Sequence, residues 1–598
     1  MCGIVGYAGE QTSKDVLDVL LDGLSGLEYR GYDSAGVAVA NSSLDVYKRE
    51  GDLSTLEESL PEQPPNGFAG IGHTRWSTHG PPSDANAHPH TDCDDRIAVA
   101  HNGIIDNDQE LRDALEADGH VFESETDTEV IPHLVESAID QGADVETAFR
   151  RAIDRLEGSY AVIAVRSGSE ALYAARHHSP LIIGIDGDDY YLASDVSAFL
   201  GYTEDVIYLE DGQFATVRPA GVEVTDERGA LVETSVETVD WDPEDAGKSG
   251  YDHYMLKEIH EQPHALRECL RGRPQGLENA VLLEAVADVT EPKRVHFVAC
   301  GTSYHASLYG ARLVRERGIP ATAFLASEYD SDVIPIDGDT LVVGVTQSGE
   351  TADTMSALRD ANGAGGTTLT VTNVVGSSAA RESDHVMYIR AGPEIGVAAT
   401  KTFASQQIAL AMLSSALTDD CSQEFVDALR ALPDQVQSVL DDSRARAIAG
   451  EYVDSDAYFF IGRGYCAPVA REGALKMKEI TYKHAEGFPA GELKHGPLAL
   501  VTDRTPVFAV VNRESNPEKM IGNVKEVESR GAPVIAVTDT PEAVRNHADH
   551  VLGVPDTHWR FTPVLANVQL QLASYWVANR LGRSIDKPRN LAKSVTVE

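Results

Sequence analysis

Positive charge is what this chain of 598 residues has too little of: 49 Lys and Arg stand against 95 Asp and Glu, a formal net charge of −46. Such a field repels nucleic acid and anionic membrane surfaces, so neither is an expected partner. The acids are spread along the chain and read as a solvated surface suited to high salt, where screening removes self-repulsion beyond a few ångströms. Long apolar runs are also missing. None reaches about eighteen residues, so no membrane-spanning helix is expected. No basic stretch precedes an apolar one at the N-terminus, so no secretory signal is expected either. The six cysteines (Cys2, Cys93, Cys269, Cys300, Cys421 and Cys466) lack paired spacing and read as reduced thiols of a cytoplasmic protein. With 42% hydrophobic and 24% charged residues the balance is that of a globular chain. Its length calls for about three or four domains.

What is present begins at MCGIVGYAGE (1–10). A cysteine directly behind the initiator can be a small hydrophobe of a first strand. If Met1 is removed, Cys2 becomes a nucleophile whose own α-amine serves as its base. Position alone leaves both readings open.

Residues 1–240 hold many short β-type runs, among them GIVGYAG, AGVAVA, RIAVAHNG and YAVIAVRS, with two helical stretches near 107–118 and 128–140. That pattern predicts antiparallel sheets with helices packed on them. The polar segment 241–254 reads as a linker. Beyond it strands alternate with long helices, as in parallel α/β sheets, and a repeat is visible. RVHFVACGTSYHAS (294–307) resembles DAYFFIGRGYCAPVA (456–470), and DHVMYI (384–389) parallels DHVLGV (549–554). Gly301 and Gly464 are 163 residues apart, Asp384 and Asp549 165. The second half is two copies of one α/β unit.

The copies differ at a strand-to-helix turn. TQSGET (346–351) in the first exposes backbone N–H groups to an anion, and CGTS (300–303) supplies a second turn on the expected neighbouring strand. A lone Ser-Gly turn is usually only a helix cap; two in register point to phosphate. The second copy has NRES instead, bulkier and partly charged, and is expected to have lost that site. Farther on, ALKMKEITYKHAEGFPAGELKHGPLAL (474–500) gathers Lys476, Lys478, Lys483 and Lys494 with Glu479 and His495. Lys476 and Glu479 share a helix face. They read as a surface ion pair or as a tuned carboxylate for proton transfer beside a carbonyl.

MCGIVGY (1–7), LEYRGYDSAG (27–36), GHTRWSTHGPPSDANAHPH (72–90), HNGIIDN (101–107) and SETDTE (124–129) resemble the N-terminal-nucleophile glutamine amidotransferases. Together with CGTSYHA, TQSGETADT, EIGVAATKTF, GELKHGPLAL and the tail DKPRNLAKSVTVE, they give the whole chain a resemblance to the glutamine–fructose-6-phosphate aminotransferase (isomerizing) family. The resemblance implies an α+β glutaminase domain, an αββα sandwich, over 1–240. After the linker 241–254 it implies two α/β sugar-isomerase (SIS) domains with parallel sheets over 255–440 and 441–588, and a tail, 589–598, contributing to the sugar site. The implied reaction turns D-fructose 6-phosphate and L-glutamine into D-glucosamine 6-phosphate and L-glutamate, with ammonia channelled between two sites. It is the first step towards UDP-N-acetylglucosamine.

By the same resemblance Cys2 attacks the glutamine amide and Asn102 with the Gly103 N–H holds the oxyanion. Arg75 clamps the α-carboxylate, Asp127 takes the α-ammonium, Thr78 and His79 line the site and Trp76 gates ammonia. Thr302, Ser303, Thr346, Gln347, Ser348 and Thr351 hold the sugar phosphate, and Val397 and Ala592 contact the sugar through backbone groups. His495, supplied by a neighbouring subunit, opens the ring, which implies at least a dimer. Lys593 forms a Schiff base at C2, and Glu479, assisted by Lys476, moves the proton between C1 and C2. Ala399 stands where relatives commonly carry Ser. No cofactor is implied. His79, His88, His90 and Cys93 are metal-ligand types, but their spacing fits no common zinc pattern and the family uses the stretch without metal.

A phosphoribosylpyrophosphate-dependent amidotransferase would need an apolar run ending in paired acids and a pyrophosphate loop, and neither is found. A non-catalytic sugar-phosphate sensor would need a DNA-binding segment and would not need Cys2, Glu479 or Lys593. An amine-removing relative would normally lack the glutaminase half.

Overall fold

The computed structural model describes residues 2–9, 14–61, 63, 65–77, 79–239, 248–275, 280–289, 292–418, 421–514 and 516–595. Met1, Thr78 and residues 241–247 of the expected linker lie outside them. The chain divides into two compact units, 1–247 with 592–598, and 248–591.

Two antiparallel sheets build the first unit. One runs in the order Glu237–Thr238, Asp205–Tyr208, Ile182–Asp186, Asp189–Ala193, Gly3–Ala8, Ala69–Arg75, Ser34–Ala40 and Leu44–Glu50. The other runs Gly221–Thr225, Phe214–Arg218, Leu172–His177, Gly158–Arg166, Ile97–Ile105 and His90–Thr91. Alternation places Ile4, Ile71, Ala98, Ala100 and Ile163 in one core between the sheets. Their neighbours face outward: Val5 and Val37 meet the helix Val16–Leu27, and Ile97 and Val99 meet Val130–Asp140 and Val145–Ile153. The layers are helix, sheet, sheet, helix.

The expected helices near 107–118 and 128–140 form as Asp108–Ala117 and Val130–Asp140. Val16–Leu27, Leu53–Ser59 and Val145–Ile153 are helices that the two-helix expectation lacked. The first of them contains Gly23 and Gly26, which weaken local helix preference. Burial of Val16, Leu17, Val19, Leu20, Leu24 and Leu27 along one face outweighs that.

The second unit holds two five-stranded parallel sheets of one order. The first is Ala321–Leu325, Arg294–Ala299, Thr340–Val345, Thr367–Thr372 and His385–Tyr388. The second is His484–Pro489, Ala457–Gly462, Val507–Val511, Val534–Thr538 and His550–Gly553. Repeat symmetry reaches single bonds. Asp384 accepts from the Thr368 N–H at 2.8 Å, and Asp549 accepts from the Val534 N–H at the same distance. Gly301 and Gly464 both turn with positive φ, 52° and 58°. The helices Lys401–Ala416 and Thr562–Arg580 are buried on nearly every face and join both copies through one core. Among the described residues no helix is long and apolar enough to cross a membrane.

Candidate active sites

In the first unit the strand Gly3–Ala8 lies antiparallel to Ala69–Arg75 with Gly3 opposite Thr74, which sets Cys2 beside Trp76. The Trp76 N–H donates to Cys2 Sγ at 3.3 Å, and the thiol lies 3.5 Å from the Trp76 carbonyl oxygen. Ile97–Ile105, in the facing sheet, carries Asn102, whose Nδ2 donates to the Cys2 carbonyl at 3.0 Å. Asn102 Oδ1 faces His73 Nε2 at 3.2 Å. Burial, with the Arg75 charge nearby, pushes His73 down to about 3, so its ring is neutral at working pH. His73 Nε2 also faces the His101 carbonyl at 3.1 Å, so it carries the proton and donates to Asn102. That bond aims the Asn102 amide hydrogens at Cys2.

Gly103 follows with φ of 133°, and a Cβ there would lie 1.9 Å from the Ser159 carbonyl oxygen. Only glycine fits. Arg75 is 3% exposed; Nη2 donates to the carbonyls of His79 and Gly80, while Nη1 is buried without a hydrogen-bond partner among the described residues. Burial draws this guanidinium below its ordinary value, against the opposing effect of Cys2, Asp127 and Asp33. Asp127 is buried, with Oδ2 accepting from the Ile105 N–H at 2.9 Å. Trp76 and His79 are half-buried, and Thr78 is outside the described residues. Asp33 and His73 were missed from the sequence. Asp33 accepts from the Ser77 N–H at 2.8 Å and fastens the segment after Arg75; its quoted place in LEYRGYDSAG was the available signal.

In the second unit CGTS and TQSGET follow the neighbouring strands Arg294–Ala299 and Thr340–Val345, which sit where the strand order reverses. Ligands of open α/β sheets bind beyond the strand ends at that point. The helices that follow, Gly301–Glu316 and Ala352–Gly363, have no side-chain N-cap bond, so their first N–H groups remain for an anion. Ser303 Oγ accepts from Gln406 Nε2 at 2.9 Å, and Thr346 Oγ1 lies 3.2 Å from Thr351 Oγ1 and accepts from the Gly349 N–H. Gln347 anchors the turn through its carbonyl, which takes the Asn373 N–H. The Ser348 hydroxyl takes the Glu350 N–H.

At the matching turn of the second copy Pro517 opens the helix and removes a donor, while Arg513 pairs with Asp539 and Asp556.

The lysines grouped in 474–500 part company. Lys478 is exposed, Lys483 reaches the Ser455 carbonyl and Lys494 pairs with Glu526 at 2.6 Å. Lys476 alone turns inward, 1% exposed, 2.6 Å from Glu479 and 3.4 Å from Glu472. Glu472, fully buried, also accepts from Thr302 Oγ1 at 3.0 Å and contacts His305 Nδ1 at 2.7 Å. The cluster ties the first copy's CGTS helix to the second copy's helix Cys466–Thr481. Burial opposes both charges, yet the pairing prevails: Lys476 is held above its ordinary value and Glu472 below. Glu472 and His305 were missed from the sequence, although Glu472 precedes Lys476 by four residues, a favourable helical pairing.

Val397 donates its N–H to the Asp586 carbonyl at 3.1 Å. His495 is exposed at the end of the short helix Ala490–His495. Ala592 and Lys593, both half-buried, belong to the compact unit of residues 1–247.

Residues 73–201 match the glutamine amidotransferase domain family, and 288–416 and 451–579 each match the SIS domain family. A glutamine–fructose-6-phosphate aminotransferase [isomerizing] from Halobacterium salinarum is 50% identical over the full length of both chains. One of the same name from Symbiobacterium thermophilum is 48% identical, again over all of both. Among solved structures, the C-terminal domain of glucosamine-fructose-6-phosphate aminotransferase from Francisella tularensis superposes with a TM-score of 0.54 at 36% identity, covering 57% of this chain and all of that one. With both domain types in place and full-length identity of this order, the chain belongs to the glutamine–fructose-6-phosphate aminotransferase (isomerizing) family.

Proposed function

We propose that the protein converts D-fructose 6-phosphate and L-glutamine into D-glucosamine 6-phosphate and L-glutamate in the cytoplasm, opening amino-sugar synthesis, with ammonia passing from one site to the other. The observation that carries this is the Cys2–Asn102–His73 chain, a nucleophile held by the amide that will serve its oxyanion. Cys2 attacks the glutamine carboxamide, its α-amine takes the thiol proton, and Asn102 with the Gly103 N–H stabilises the tetrahedral oxyanion. Ammonia leaves and water releases glutamate. The unpartnered Arg75 Nη1 receives the substrate α-carboxylate as a planar fork, and Asp127 receives its α-ammonium. Thr78 and His79 line this site, and Trp76 gates ammonia.

In the second unit the CGTS and TQSGET turns hold the phosphate through Thr302, Ser303, Thr346, Gln347, Ser348 and Thr351. Lys593 forms the Schiff base at C2, which ammonia displaces, and Glu479 shuttles the proton between C1 and C2. Lys476 stays charged between two carboxylates, which suits it to tune Glu479 and unsuits it as the imine-forming amine. Because the Val397 N–H is engaged by Asp586, its contact with the sugar falls to its carbonyl; Ala592 adds a second backbone contact. Exposed His495 opens the ring in the partner subunit of a dimer. The charge of −46 suits the enzyme to high salt.

The test is product formation in high-salt buffer by wild type and Cys2→Ala, each with glutamine or with ammonium. The reading requires glucosamine 6-phosphate from wild type with glutamine, and from Cys2→Ala with ammonium at most. Wild type that hydrolyses glutamine yet makes no amino sugar at any salt would overturn it.

A further inference from the structure

Cys93 stands close in sequence to HPH (88–90), but the fold sends it elsewhere. His88 stacks on His73 in the interior at a centroid separation of 4.1 Å, and His90 meets His88 edge-on at 4.7 Å. Cys93 lies in the exposed turn between the strands His90–Thr91 and Ile97–Ile105 and meets His120, His133 and Glu136 instead. His133 and Glu136 share one face of the helix Val130–Asp140, and His120 follows the helix Asp108–Ala117. The four ligand-type atoms lie within 4.8 Å of one another.

Cys93 Sγ is 3.7 Å from His120 Nδ1 and 3.6 Å from His133 Nδ1. Glu136 Oε2 is 2.9 Å from His120 Nδ1 and 3.4 Å from His133 Nδ1. A tetrahedral zinc ion with ordinary bond lengths separates a thiolate from an imidazole nitrogen by about 3.6 Å, and that nitrogen from a carboxylate oxygen by about 3.3 Å. The two sulfur–nitrogen edges and the His133–Glu136 edge match to within about 0.1 Å, and the His120–Glu136 edge is shorter.

Hydrogen bonding alone serves the group poorly. Each Nδ1 bears at most one proton when neutral, yet each faces both the sulfur and the same carboxylate oxygen, which also takes the Cys93 N–H. A central cation satisfies all four. On the far side His133 Nε2 is buried without a hydrogen-bond partner among the described residues, 3.8 Å from Glu129 Oε1. Glu129 is fixed by the N–H groups of Glu123 and Ser124 and by the Ser124 hydroxyl. A carboxylate behind an imidazole is the usual outer support of a ligating histidine.

We infer that Cys93, His120, His133 and Glu136 form a tetrahedral site for a zinc-class divalent cation, structural in role, in the glutaminase unit. The donor set of one thiolate, two imidazoles and one carboxylate suits zinc and disfavours magnesium and calcium. Cys93 binds as thiolate, giving its proton to solvent. With four protein ligands no position is left for substrate, so the ion clamps three segments, the last of which follows directly on Asp127.

The experiment uses the full-length, tag-free protein, chelator-treated and titrated with Co²⁺ and then Zn²⁺. One Co²⁺ per chain is expected, with a thiolate-to-metal charge-transfer band in the near ultraviolet that Zn²⁺ abolishes. Zn²⁺ is also expected to shield Cys93 of the wild-type protein from alkylation, read by peptide mapping. Cys93→Ser removes the band while keeping glutamine hydrolysis, and Glu129→Gln weakens binding about 10–100-fold. No band in wild type, a band that survives in Cys93→Ser, or equal alkylation of Cys93 with and without Zn²⁺ each overturns the site.

Discussion

Asn102 Nδ2 donates to the carbonyl oxygen of Cys2 across the gap between two sheets, at 3.0 Å. The bond joins the start of the first strand to a residue a hundred positions later and fixes the side chain proposed to serve the oxyanion on the backbone of the proposed nucleophile. Asn102→Ala is expected to lower glutamine-dependent turnover roughly 10²–10³-fold, the usual cost of one oxyanion donor. Synthesis from ammonium is expected to be unaffected, and comparing the two nitrogen sources checks this. Equal losses with both would remove Asn102 from the glutaminase step.

Glu472 is the acceptor on which Lys476, His305 and Thr302 converge. Glu472→Gln leaves the buried Lys476 ammonium with Glu479 alone, and breaking such a pair costs about 3 kcal/mol. The midpoint of denaturant unfolding measures it. A midpoint equal to that of wild type would mean that Glu479 suffices.

Gly349 turns the TQSGET loop with φ of 70°, and a Cβ there would lie 2.0 Å from Ser377 Oγ. Gly349→Ala is expected to raise KM for fructose 6-phosphate on the order of tenfold, about 1.4 kcal/mol, with glutamine hydrolysis intact. Unchanged KM would place the phosphate elsewhere.

Burial lowers His73 to about 3 and pushes His88, His90 and His101 in the same direction. Unfolded histidines take up protons near pH 6.5 and these native ones do not, so stability is lost as pH falls from about 6.5 towards 3. Thermal unfolding at pH 7.5, 6 and 5 is expected to show a falling Tm. A flat Tm over that range would contradict the neutral-histidine interior.

The fold was largely legible because its signals are local. Period-two alternation in GIVGYA and IAVAHNGII separates two faces of each sheet, and the glycine turns recur at near-constant offset. Val16–Leu27 escaped because its two glycines weaken a local preference that packing restores. The lysines of 474–500 were legible as a group but not in their fates, since which one turns inward depends on the helix Cys466–Thr481 meeting the other copy.

By itself the sequence offered Cys2 behind Met1 and the amide and glycine of HNG as candidates, and displayed the two small-residue turns and the internal repeat. In each, the chemistry rests on residues adjacent in the chain. Tertiary structure alone decided that Glu472 binds Thr302 and His305 of the other repeat, that Arg513 pairs with Asp539 and Asp556, and that Cys93 leaves HPH for His120, His133 and Glu136. Those contacts join residues far apart in sequence, and the docking of helices on sheets that creates them has no signature in any single stretch.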